Sequence, residues 1–127
     1  MKLRPVLVVS AIYMALLGLG FVFFPSQIGI GAVPPGASAA LIAYLRVFGS
    51  AFLAIGVLNW TARNSDASDA RDAIILANVV GFALAATLDY WGVLSGARQL
   101  ALLFGTIHLL FALAFIWAWR TISVVTS

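Results

Sequence analysis

Apolar residues run through this chain in four long blocks, separated by short stretches where proline, glycine or charge collects. The blocks run from Pro5 to Phe24, from about Ala39 to Ala62, from about Ala73 to Leu94, and from Leu100 to Trp119. Each holds about 20 residues, which as a helix covers the roughly 30 Å hydrocarbon core of a bilayer. An unpaired backbone group in lipid is so costly that such a block is expected to be helical. Alternation every second residue, the mark of a transmembrane β-strand, is absent. The pattern predicts an all-α integral membrane protein, a four-helix bundle forming one transmembrane domain over residues 1–127.

The breaks sharpen the blocks. Pro25 stops the first, and the stretch to Ser38 carries Pro34, Pro35 and three glycines without a charge. Residues Arg63 to Asp72 are polar; Asp66 or Ser68 is placed to cap the third helix, and Asp69 and Asp72 favour its positive end. Around Ser95-Gly96-Ala97 the chain turns back quickly, with Gly96 suited to the position just past a helix end.

Composition agrees with lipid as the solvent. The chain is 64% hydrophobic and 9% charged, where a soluble domain carries about 25% charged residues. Its mean hydropathy is +1.11. The net charge of +3 comes from basic residues scattered at block ends, with no row to meet phosphates, so nucleic-acid binding is not expected. Lys2, Arg4, Arg63, Arg71 and Arg120 fall on one side, Arg98 on the other, and Arg46 just inside the second span. This asymmetry puts both termini in the cytoplasm of a bacterial inner membrane. The basic start Met1-Lys2-Leu3-Arg4 and the Ala37-Ser38-Ala39 triplet are too far apart for a signal peptide and its cleavage site, so the first span is read as retained. The absence of cysteine excludes thiolate chemistry and Cys-ligated metals. A lone histidine cannot build a metal site in one chain, and no metal or other cofactor is expected.

Small and polar residues recur at helical spacing. Ala11, Ala15 and Gly18 share a face of the first span, as do Gly49, Leu53 and Gly56 in the second, which favours close helix approach. Ala101, Gly105, His108 and Ala112 form a stripe on the fourth, and Asn78, Phe82, Ala85 and Asp89 form one on the third. Both stripes are expected to face inward, because a carboxylate against acyl chains is expensive. Asn59 and Asn78 are expected to bridge helices. Counting inward from the outer span ends puts Arg46 and Asp89 at similar depth, so an Arg46–Asp89 ion pair is expected, with His108 about a turn deeper. Tyr44, Tyr90 and Trp91 surround the same level.

Two readings of this outer cluster stay open. One is structural, with Arg46 and Asp89 neutralising each other and the aromatics forming an interfacial belt. The other is a site: Asp89 and His108 as an acid–base pair, with Arg46, Tyr44, Tyr90, Trp91 and Asn78 binding an apolar ligand. No phosphate-binding loop, nucleophile elbow or HExxH motif occurs, which argues against nucleotide-driven and hydrolase chemistry.

Within the second span the stretch from Leu45 to Trp60 passes through Arg46, Gly49 and Gly56, and Ala62-Arg63 follows. This Arg-x-x-Gly start, Gly-rich middle and aromatic plus Ala-Arg end, with the short hairpin before the fourth span, resemble small bacterial four-helix membrane proteins of the DoxX-like type. The resemblance implies a four-helix bundle and a link to quinone or redox partners; it carries over no catalytic residue. The first expectation is therefore an accessory subunit of a larger membrane complex, or a binder of an apolar ligand such as a lipid or quinone. The second is a compact membrane enzyme acting on an isoprenoid or lipid by isomerisation, cyclisation or epoxide opening. The third is a small transporter. Four short helices enclose little volume, so homo-oligomerisation is expected in each case.

Overall fold

The computed structural model describes residues 3–29, 31–98 and 100–123, with side chains to residue 121. It is helical throughout its ordered elements: α1 (Leu3–Phe23), α2 (Pro25–Ile28), α3 (Ala39–Ala62), α4 (Asp69–Leu94) and α5 (Ala101–Ser123). Among the described residues there is no strand. Helices α1, α3, α4 and α5 are each long and apolar enough to cross a membrane.

Local chemistry explains where the helices begin and end. Pro25 closes α1 as expected, but its fixed φ suits the first turn of a helix, and the single turn of α2 follows at once. Gly31 and Gly36 then adopt φ of 80° and 76°, the left-handed region that glycine enters without strain. The Ser38 hydroxyl accepts from the Leu41 N–H at 3.2 Å and so opens α3. Helix α4 starts at Asp69, four residues before its apolar block, because Ser68 caps it by accepting from the Arg71 N–H. Asp69 and Asp72 stand in that first turn, where the partial positive charge of the helix end favours them. At the far end Ser95 closes α4 and Gly96 reverses the chain at φ 71°, its N–H on the Val93 carbonyl at 3.0 Å. Helix α5 continues past Trp119 through Arg120, a residue that suits a helix C-terminus.

The chain divides into two compact units, Val8–Thr61 and the remainder, which joins the first turn of α1 to everything from Ala62 onward. In the first unit α1 and α3 meet through backbone. A Cβ added at Gly18 would lie 2.7 Å from the Leu53 nitrogen and 2.8 Å from the Gly49 carbonyl oxygen. One added at Gly49 would lie 2.8 Å from the Gly18 oxygen. Gly56 repeats the arrangement, with a Cβ there 3.0 Å from the Ala15 nitrogen and 3.1 Å from the Ala11 oxygen. The expected small-residue faces are thus the contact faces. Asn59 donates to the Ser10 hydroxyl at 3.1 Å, both residues being fully buried.

In the second unit α4 packs on α5. Helix α4 buries Ile75, Asn78, Phe82 and Ala86; α5 buries Ala101, Gly105, Ala112, Phe115 and Ala118. Those spacings are three, four or seven residues, one or two helical turns, so each helix presents one stripe to its neighbour. Phe82 stacks on Phe111 with ring centroids 4.8 Å apart and on Phe115 at 6.0 Å. Asn78 donates to the Ile74 carbonyl at 2.8 Å, one turn back in its own helix.

Candidate functional site

The α4·α5 hairpin gathers three ionisable side chains at its Ser95–Gly96 end. Asp89 lies five residues before the end of α4, about 8 Å along the axis. Its two carboxylate oxygens face different partners: Oδ1 accepts from the Arg98 Nη1 at 3.2 Å, and Oδ2 lies 2.8 Å from the His108 Nδ1. The three side chains retain little exposure, 11% for Asp89, 14% for His108 and 30% for Arg98.

Backbone geometry brings them together. Gly105 stands opposite Asp89, and a Cβ there would lie 3.1 Å from the Asp89 Cβ, so the missing side chain lets α5 approach at the level of the carboxylate. His108 follows one turn later on the same face, which sets its ring against Asp89 on one side and Phe82, at 5.9 Å between centroids, on the other. The turn after α4 folds Arg98 back, its N–H on the Gly92 carbonyl at 3.1 Å. This carries the guanidinium to Asp89 and over the ring of Phe104, 5.4 Å from its centroid, a favourable cation–π position. The Arg98 Nε is buried with no acceptor, a local cost that the ion pair offsets.

The other predicted residues differ in their surroundings. The basic partner expected for Asp89 was Arg46; the structure gives that role to Arg98, because the tight turn at Gly96 brings Arg98 back over the end of its own hairpin. Arg46 is exposed on α3. Tyr90 is part-buried and its hydroxyl meets the Thr106 hydroxyl at 3.3 Å, while Thr106 in turn donates to the Leu102 carbonyl. Trp91 and Tyr44 are largely exposed, at 70% and 67%, which suits rings facing lipid headgroups better than the wall of an enclosed site. Asn78 shares a face with Asp89, but eleven residues separate them, about 16 Å along the helix. It is not part of the cluster.

Arg98 and Thr106 were missed as site residues. A sequence signal for Arg98 exists in hindsight: a cation nine positions after a buried acid, across a Ser-Gly turn, folds back beside it. Among the described residues no group of three or more His, Cys, Asp or Glu stands together to hold a metal.

The fold and cluster define a class, an all-helical protein with four helices built to cross a membrane and a compensated charge cluster in one hairpin. No family model, curated protein or solved structure matches the chain.

Proposed function

We propose that this chain is a multi-pass protein of the bacterial inner membrane that binds an apolar molecule, such as a lipid or quinone, by its polar end at Asp89 and His108. Both termini face the cytoplasm in this reading, and the protein works as a homo-oligomer or as an accessory subunit of a larger membrane complex. The observation that carries it is the Arg98–Asp89–His108 cluster, set in helices long and apolar enough to cross a membrane. Ionisable groups in that setting are expensive to keep. Packing of α4 on α5 does not require them, since Gly105, Ala86 and the Phe82–Phe111–Phe115 stack already provide close contact. A polar knot beside an aromatic column matches a ligand with one polar end and an apolar body.

Native mass spectrometry of gently purified protein tests this reading. The expected result is a stoichiometric small molecule that is lost in Asp89→Asn and in His108→Ala. Empty protein, or bulk phospholipid carried equally by all three, would rule the site out.

The 2.8 Å Asp89–His108 contact favours one further reading, a membrane enzyme in which Asp89 orients His108 as a general base on an isoprenoid or lipid. Isomerisation, cyclisation or epoxide opening needs no redox cofactor and fits such a pair. Conversion of an added isoprenoid epoxide by the wild type, abolished in His108→Ala, would establish it; recovery of the epoxide unchanged would leave binding alone.

A further inference from the structure

We propose that Arg46 binds the phosphodiester of a membrane phospholipid, which gives the Val8–Thr61 unit a binding site of its own. The proposal goes beyond the reading of the α4·α5 cluster and needs only that α3 crosses a bilayer.

Arg46 is the sole charged residue between Val8 and Thr61, so its own compact unit holds no acid to neutralise it. It is exposed on α3, and among the described residues none makes a hydrogen bond, ion pair or ring contact with it. Arg98, by contrast, is paired with Asp89, and Arg71 donates to the Ser65 carbonyl at 3.3 Å. The N–H donors of the Arg46 guanidinium are therefore uncommitted within the chain. An ionised group left in that state inside a bilayer is costly. Its planar fork matches two oxygens of a phosphate.

Depth decides which acceptor is in reach. Helix α3 has 24 residues, about 36 Å of length against a hydrocarbon core of about 30 Å. Arg46 stands seven residues after Ala39, where α3 begins. With the helix centred, its Cα lies about 7 Å inside the hydrocarbon boundary. Helical side chains lean toward the N-terminus of their helix, and for Arg46 that is the nearer boundary. The positions ahead of it on the same face, Ala43 and Ala39, are exposed alanines. Its aliphatic stem has room to lie along them and carry the guanidinium to the headgroups. Toward the bilayer centre α3 exposes Val47, Val57 and Leu58, an apolar surface for the acyl chains of the same lipid. The Ser50 hydroxyl, one turn after Arg46, is spent on the Val47 carbonyl at 2.7 Å, which leaves the guanidinium as the donor a headgroup meets here.

A second copy of the chain in the same orientation supplies no better acceptor. Asp66, Asp69 and Asp72 follow the C-terminal end of α3, the end opposite Arg46. Asp89 has both oxygens engaged by Arg98 and His108.

The test is native mass spectrometry of the full-length protein in detergent, titrated with dioleoylphosphatidylglycerol and with dioleoylglycerol, which has the same chains and no phosphate. The phospholipid should bind at least about tenfold more tightly. That preference should vanish in Arg46→Gln and return in Arg46→Lys, which keeps the charge; Arg46→Ala replaces the Gln variant should that one not fold. Asp89→Asn and His108→Ala should leave the preference unchanged, which distinguishes this site from the α4·α5 ligand. Water-soluble glycerol 3-phosphate should fail to displace the lipid.

Equal binding of the two lipids would overturn the proposal, and so would a preference that survives Arg46→Gln. Displacement by equimolar glycerol 3-phosphate would also overturn it, by making this a site for soluble phosphate. An unchanged preference in Arg46→Gln together with a smaller oligomer would assign the guanidinium to a contact between copies, against the proposal.

Discussion

Across α1 and α3 the backbone itself makes the contact: Gly18 faces Gly49 and Leu53, Gly56 faces Ala11 and Ala15, and the polar pair at this crossing is neutral, Ser10 with Asn59. Across α4 and α5 the contact has the same kind of foundation in Gly105 and Ala86, but charge is added at one end of it. Helices in lipid associate through close van der Waals packing and interhelical hydrogen bonds, and the first crossing has both, in its glycine contacts and in the Ser10–Asn59 bond. In the proposed reading the charged cluster of the second is surplus to packing and marks the hairpin as the ligand-binding part, and the first crossing is scaffold.

The scaffold should break most severely where backbone meets backbone. Gly18→Val or Gly49→Val forces the α1·α3 axes apart, because the obstructing atoms belong to the main chain and no rotamer relieves them. A loss of about 3 kcal/mol is expected, read from unfolding in mixed detergent micelles. Wild-type stability in both variants would remove the glycine crossing as the basis of the scaffold.

Next in size is Asp89→Ala, which leaves Arg98 and His108 without their acceptor. The expected cost is about 2 kcal/mol, together with loss of any copurified ligand. A variant that keeps its ligand would detach the carboxylate from binding. Asn59→Ala should cost about 1 kcal/mol, since it breaks the hydrogen bond to Ser10. Wild-type stability in that variant would mean that the bond contributes nothing to the crossing. The smallest effects belong to two alanines. Gly105→Ala should lose less than about 1 kcal/mol, its new methyl needing a few tenths of an ångström of yield from Asp89. Gly81→Ala, with nothing within 4 Å of its Cβ position, should lose nothing.

Much of the architecture is legible in the sequence because lipid leaves few choices. Four apolar blocks of spanning length lead to four helices, and the inward stripes of α4 and α5 lead to the Asp89–His108 approach. What escapes is local. The start of α4 depends on the Ser68 cap rather than on hydropathy, so an apolar count begins the helix four residues late. Arg98 escapes for a different reason. Its charge reads naturally as a topology marker, and only the backbone of the turn, reversing at Gly96, shows that it returns to Asp89. Counting depth along the sequence offers Arg46 as a partner for Asp89, and such a count alone cannot choose between two cations. Asn78 shows the converse limit, since sharing a helical face with Asp89 does not bring it within reach.

The central claim is that the hairpin's charges serve a ligand and not the fold. The direct test replaces all three together, Asp89→Leu/Arg98→Leu/His108→Phe, and compares unfolding free energy and copurified ligand with the wild type stripped of ligand. A buried ionic group exchanged as a set for apolar side chains is often neutral or stabilising. The account predicts a folded variant at least as stable as the stripped wild type and carrying no ligand. A variant that fails to fold, or that retains the ligand, would contradict it.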